Sequence, residues 1–168
     1  MTVCLLLSAL SITAFAADPA PGTVIRVSAL KNNELEVIED HDNFEDGWNH
    51  AMKLAEDNDY DRIIVDLYAD WTAVKGVFAD DSDGFDNETL YIPEGAVVTI
   101  NMNGHTINRA MTDWKWNGEV MCIDENADVV INDGTITGGW SGNGAGGIHV
   151  LDNAKVTLNS VHVDEHRR

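Results

Sequence analysis

The chain has 168 residues and carries 29 Asp and Glu against 10 Lys and Arg, a formal net charge of −19. So acidic a chain excludes nucleic acid and anionic membrane surfaces as partners and suits an extracellular protein kept soluble by its own charge. The length suits one domain. Of its 2 cysteines only Cys122 lies outside the N-terminal apolar run, so the mature chain is expected to form no internal disulfide.

Residues 1–16 read as a secretory signal peptide. Val3 to Ala16 is uncharged and ends in Ala14-Phe15-Ala16, a small-x-small site ahead of Ala17-Asp18-Pro19, with cleavage expected after Ala16. The run is too short to span a bilayer, and no transmembrane segment is expected. No Lys or Arg precedes it, so the basic n-region of a signal peptide is missing. Cys4 stands near its start rather than after it, which does not suit lipid attachment.

Residues 17–61 form an N-terminal segment of two periods. Ile25, Val27, Leu35 and Val37 alternate loosely around a polar Lys31-Asn32-Asn33-Glu34 turn, which predicts a hairpin or an edge strand. Phe44, Trp48, Ala51, Met52 and Ala55 then fall on one face of a helix over residues 44–57. Asp42 with Glu45 three positions later resembles a capping box, and Glu45 and Asp46 suit the positive end of the helix dipole.

From residue 62 to 163 the period is two, and one pattern returns. Ile63, Val65 and Leu67 open the series. Three fuller copies are centred on Ala96, Ala127 and Ala154. Each has an aliphatic residue or Met six and four positions before the alanine, and an aliphatic residue then Asn four and five after it. A self-similar unit of about 30 residues, made of two short strands and a turn, predicts a solenoid of three to four coils. Two inserts interrupt it, Asp113-Trp114-Lys115-Trp116-Asn117 and the glycine-rich stretch from Gly138 to Gly147. Residues 164–168 form a charged tail.

The order of signal peptide, amphipathic helix, Ala69-Asp70-Trp71-Thr72 after a strand, and Met102-Asn103-Gly104-His105-Thr106-Ile107 resembles secreted bacterial right-handed parallel β-helix proteins of the pectate-lyase-like superfold. The likeness covers residues 44–163 and implies an all-β fold in which the helix, through Trp48, caps the open first coil. Such a cap would keep the first strand edge from pairing with another chain. The third copy ends at Asp164-Glu165-His166-Arg167-Arg168 with no matching cap. With the missing n-region, this points to the N-terminal portion of a longer protein, and to self-association at the last coil.

Aligned copies give inward columns of Leu90, Met121, Ile148 and of Ile92, Ile123, Val150. Asn132 and Asn159 share a column with Asn101 or Asn103, which predicts a structural amide ladder. Tyr91, Cys122 and His149 are expected to face outward together, a thiol one coil from an imidazole with no third ligand or orienting carboxylate at that position. The acidic stretch containing Asp81, Asp83, Asp86 and Glu88 fails the EF-hand pattern, because Ala79 and Leu90 stand where oxygen donors belong. A looser calcium loop remains as a reading of those four residues. Trp114, Trp116 and Trp140 offer flat apolar faces with N–H donors suited to sugar rings.

No catalytic constellation emerges. A uronate lyase needs a basic residue to take the proton, and beyond Met111 the chain has only Lys115, Lys155, Arg167 and Arg168. A glycosidase needs carboxylates at a set separation, and Asp124 and Asp152 share no column. The expected function is a non-catalytic secreted or cell-surface scaffold that binds a glycan or another surface partner through its inserts. The alternative is the N-terminal part of a polysaccharide lyase or glycoside hydrolase.

Overall fold

A computed structural model describes residues 18–57, 59–74, 89–112, 114–142 and 146–164. The signal-peptide reading and the calcium reading of Asp81, Asp83, Asp86 and Glu88 fall outside these residues.

Strands β1 (Ile25–Lys31) and β2 (Glu34–His41) form an antiparallel hairpin. Its two-residue turn is Asn32-Asn33, both at positive φ (54° and 62°), the conformation that a right-handed twisted hairpin requires and that Asn tolerates. Helix α1 (Phe44–Glu56) follows at once. Its N-cap is Asn43, whose side chain accepts from the Asp46 N–H at 3.0 Å. The cap is thus one residue later than the Asp42–Glu45 pair suggests, because Asn43 has the N–H of Asp46 three positions on to satisfy. Phe44, Trp48, Ala51, Met52 and Ala55 are all buried, and the helix packs on β1, β2 and β3 (Arg62–Leu67). Phe44 stacks between Trp48 (5.9 Å) and Trp71 (4.6 Å), and the Trp71 indole N–H donates to Glu45.

The remaining strands are β4 (Trp71–Thr72), β5 (Leu90–Ile92), β6 (Val97–Asn101), β7 (Thr106–Asn108), β8 (Met121–Ile123), β9 (Asp128–Thr137), β10 (Ile148–Val150) and β11 (Lys155–Val163). With β1, β2 and β3 they make two sheets among the described residues. One is eight-stranded, ordered β2-β1-β3-β6-β9-β7-β4 with β11 also on β9; the other is three-stranded, ordered β10-β8-β5. Pairing is parallel everywhere except in β1–β2 and β1–β3.

This corrects the expected fold class. Among the described residues the protein is mixed α/β, with one helix packed on a sheet of mixed strand direction, and not an all-β solenoid. The reason lies in β1. Its first five residues are buried and it lies between β2 and β3, antiparallel to both, so the N-terminal segment is an integral part of the main sheet. Helix α1 accordingly belongs to the core of that sheet.

Within the sheets the repeated residues meet in register. Leu90, Met121 and Ile148 are partners, as are Ile92, Ile123 and Val150. The residue before each repeat alanine is Gly95, Asn126 or Asn153, at φ 70°, 60° and 59°. Each alanine N–H closes a turn onto the residue three before it. Only Gly or Asn takes that left-handed position cheaply, which accounts for the pattern. Asp70 links the segment after β3 to the start of β7: its Oδ1 accepts the Thr106 N–H at 2.8 Å and lies 3.3 Å from His105 Nδ1.

Candidate functional site

The two inserts that interrupt the repeat are built against each other beside the three-stranded sheet. Lys115 and Ser141 form a parallel bridge. The Lys115 N–H donates to Trp140 O (3.2 Å), the Gly142 N–H to Lys115 O (2.8 Å), and the Trp140 N–H to Gly118 O (2.8 Å). A Cβ on Gly118 would overlap the Trp140 carbonyl, and one on Gly139 the Gly146 carbonyl. The glycines are therefore what lets the two backbones touch. From inside, the buried Arg109 guanidinium donates to the carbonyls of Asn117 (2.9 Å) and Glu119, fixing the base of the first insert.

On this platform Trp114 and Trp116 are 54% and 65% exposed, with ring centroids 6.4 Å apart and planes at 77°. The Trp114 ring lies against Gly142, where a Cβ would collide with it. Trp140 is half-buried and supplies backbone contacts. The structure thus presents two of the three candidate tryptophans to solvent as an edge-to-face pair, and uses the third in the joint between the inserts.

Beneath the platform lies a second arrangement. Cys122 pairs in register with Tyr91 on one side and His149 on the other. The expectation that all three face solvent is corrected: Cys122 is only 2% exposed. Glu119, 1% exposed, brings its carboxylate alongside, and the Glu119, Cys122 and His149 ligand atoms all lie within 4.8 Å of one another. Ser141 Oγ sits 3.3 Å from Glu119 Oε2, and His149 Nδ1 lies 3.9 Å from Oε1. Glu119 is the residue that sequence reasoning missed. It stands three positions before Cys122, an odd offset that strict alternation puts on the opposite face, but the chain bends at Val120 and returns it.

The chemistry of this group is that of a sheltered thiol. Burial, then the carboxylates of Glu119 and Asp124, pushes the Cys122 thiol up to about 11. A thiol so held is protonated at neutral pH, whereas a nucleophilic cysteine needs a depressed value. Thiol, imidazole and carboxylate are a donor set for a borderline divalent ion, which would itself deprotonate the sulfur. Asp124 is occupied elsewhere, accepting from the Tyr91 hydroxyl. Burial and that hydrogen bond push the Tyr91 phenol upward.

The amide column is structural. Asn159 Nδ2 donates to Asn132 Oδ1 (2.8 Å), Asn132 Nδ2 to Asn101 Oδ1 (2.8 Å), and Asn101 Nδ2 to Asp66 Oδ1 (2.7 Å). Asn103 stands outside it and donates to Leu67 O. Trp48, the other residue given a structural role, is buried in the helix–sheet core.

No family model, curated protein or solved structure matches the chain. The resemblance to pectate-lyase-like β-helix proteins is therefore without support from relatives, and the mixed sheet speaks against it. Among the described residues no helix is long and apolar enough to cross a membrane.

Proposed function

We propose that the protein is a non-catalytic extracellular binding module that holds a glycan, or a glycan-bearing surface partner, on the paired inserts. One observation carries this reading: Trp114 and Trp116 stand 54% and 65% exposed on a backbone-bonded platform. An isolated exposed tryptophan is ordinary, but two adjacent indoles on a hydrogen-bonded base keep flat apolar surface in water ready for a sugar ring. The backbone hydrogen bonds between the inserts lower the loop entropy that binding would cost. The charge of −19 selects against uronate polymers and other polyanions and leaves neutral or amino sugars as the ligand class. The apolar Val3–Ala16 run with its small-x-small end supports secretion, and the single thiol outside that run sits well in an oxidising compartment because it is buried.

The test is a binding screen of the purified chain against neutral, amino and acidic polysaccharides, with a parallel assay for released products. Binding without turnover is expected, and Trp114→Ala and Trp116→Ala should each weaken it about tenfold, equivalent to ~1.4 kcal/mol per ring. Release of a sugar product would overturn the non-catalytic reading. Undiminished binding by the double variant would remove the tryptophans from the site.

A further inference from the structure

A second cluster lies away from the inserts, where the N-terminal hairpin meets the helix. Glu39 and His41 sit two apart on β2 and so share a face. His50 lies on α1. His50 Nδ1 is 3.1 Å from Glu39 Oε2 and 3.2 Å from His41 Nε2, and His41 Nε2 is 3.7 Å from the same carboxylate oxygen. Ligand atoms bound tetrahedrally at about 2.0–2.1 Å from one ion stand ~3.3–3.4 Å apart. The three observed separations bracket that value.

Hydrogen bonding alone accounts poorly for this triangle. A carboxylate can only accept, and one N–H at His50 Nδ1 cannot point at both Glu39 and His41 Nε2. A cation at the centre satisfies all three lone pairs at once. The frame that holds them is rigid: His41 is in register with Ile25 of β1, and α1 is buried along its whole inner face. Gly47 makes the approach possible, since a Cβ there would collide with Ile25 and press on His41 at 3.3 Å.

We propose that Glu39, His41 and His50 form a binding site for a divalent transition-metal ion of the zinc type. Two imidazoles and one carboxylate suit zinc and its neighbours, whereas calcium takes six to eight oxygens. The imidazoles are mostly covered and the Glu39 side chain is 59% exposed, so the fourth position opens to water or to an incoming ligand. Bound metal clamps hairpin to helix, and because the unfolded chain lacks the site, it raises the melting temperature.

The experiment titrates Zn2+ into metal-stripped wild-type and Cys122→Ser protein by calorimetry, with Ca2+ as control and melting temperature as a second readout. Cys122→Ser removes the thiol of the other cluster, and in that background one Zn2+ per chain is expected with a rise in melting temperature that Ca2+ does not give. Adding His50→Gln should weaken Zn2+ binding at least tenfold and abolish the rise. Cobalt in the Cys122→Ser protein should show the visible bands of a four-coordinate nitrogen–oxygen site. Absence of Zn2+ binding in Cys122→Ser, binding unchanged by His50→Gln, or an octahedral cobalt spectrum would each overturn the assignment.

Discussion

At the scale of single residues, Cys122 shows how environment decides chemistry. It has a histidine and a glutamate as neighbours, the company of a reactive thiol, yet it is covered and sits beside negative charge. Its folded value is raised, so the sign of its coupling to stability follows. The neutral thiol is favoured in the fold, the contribution is complete below the unfolded value of about 8.5, and it is lost as pH rises towards about 11. The native protein should therefore react with iodoacetamide at neutral pH far more slowly than the urea-unfolded chain, and lose thermal stability between pH 8.5 and 11. Cys122→Ala should flatten the alkaline part of that stability profile. Fast native alkylation at pH 7 would mean the thiol is not held this way. The cysteine and histidine of this group were legible in the repeat alignment; Glu119 was not, because a bend in three dimensions overrode its sequence parity.

At the scale of elements, the amide column ties four strands together through side chains. Asp66 of β3 is an acceptor only and ends the ladder, while Asn101, Asn132 and Asn159 each pass one hydrogen bond along β6, β9 and β11. Asn132→Ala removes two of these bonds and leaves the Asn101 carbonyl and the Asn159 amide facing a gap, a cost of about 1–3 kcal/mol. Asn159→Ala removes only the outermost bond, from an exposed residue, and should cost about 0.5–1.5 kcal/mol. Urea unfolding of the two variants checks the order; equal losses would show that the column does not act as a ladder. Asn132 and Asn159 could be paired from the sequence because both lie five residues after a repeat alanine. The choice between Asn101 and Asn103 could not, because β6 ends at Asn101 and the chain turns through Asn103 and Gly104, both at positive φ, before β7. Strand direction was hidden in the same way. Alternation marks Ile25 and Val27 as a strand, but nothing in a period of two says that it runs antiparallel to β3, and that pairing, with the β1–β2 hairpin, makes the sheet mixed.

At the scale of the whole molecule, a strand edge that no described strand covers and a large net charge oppose each other. Strand β11 pairs with β9 through eight of its nine residues, Ser160 being skipped, and among the described residues no strand pairs with its other side. Leu158 on this strand is 44% exposed, and β-branched Val156, Val161 and Val163 give it the composition of a strand that pairs readily. Against this stands a charge of −19 on every copy, which repels a second chain before the edges can meet. Repulsion between exposed charges weakens beyond a Debye length, about 10 Å at 0.1 M salt and ~3 Å at 1 M, whereas backbone pairing at contact is little affected. Association along β11 should therefore grow with both protein concentration and salt, the reverse of an assembly held by ion pairs. Sedimentation of the full chain from low to 1 M salt measures this directly, and Leu158→Glu, which replaces an exposed apolar side chain of the edge strand with a charge, should hold the mass at that of a monomer. A mass that stays monomeric for the wild type at high salt and high concentration would show that β11 is guarded by something other than charge.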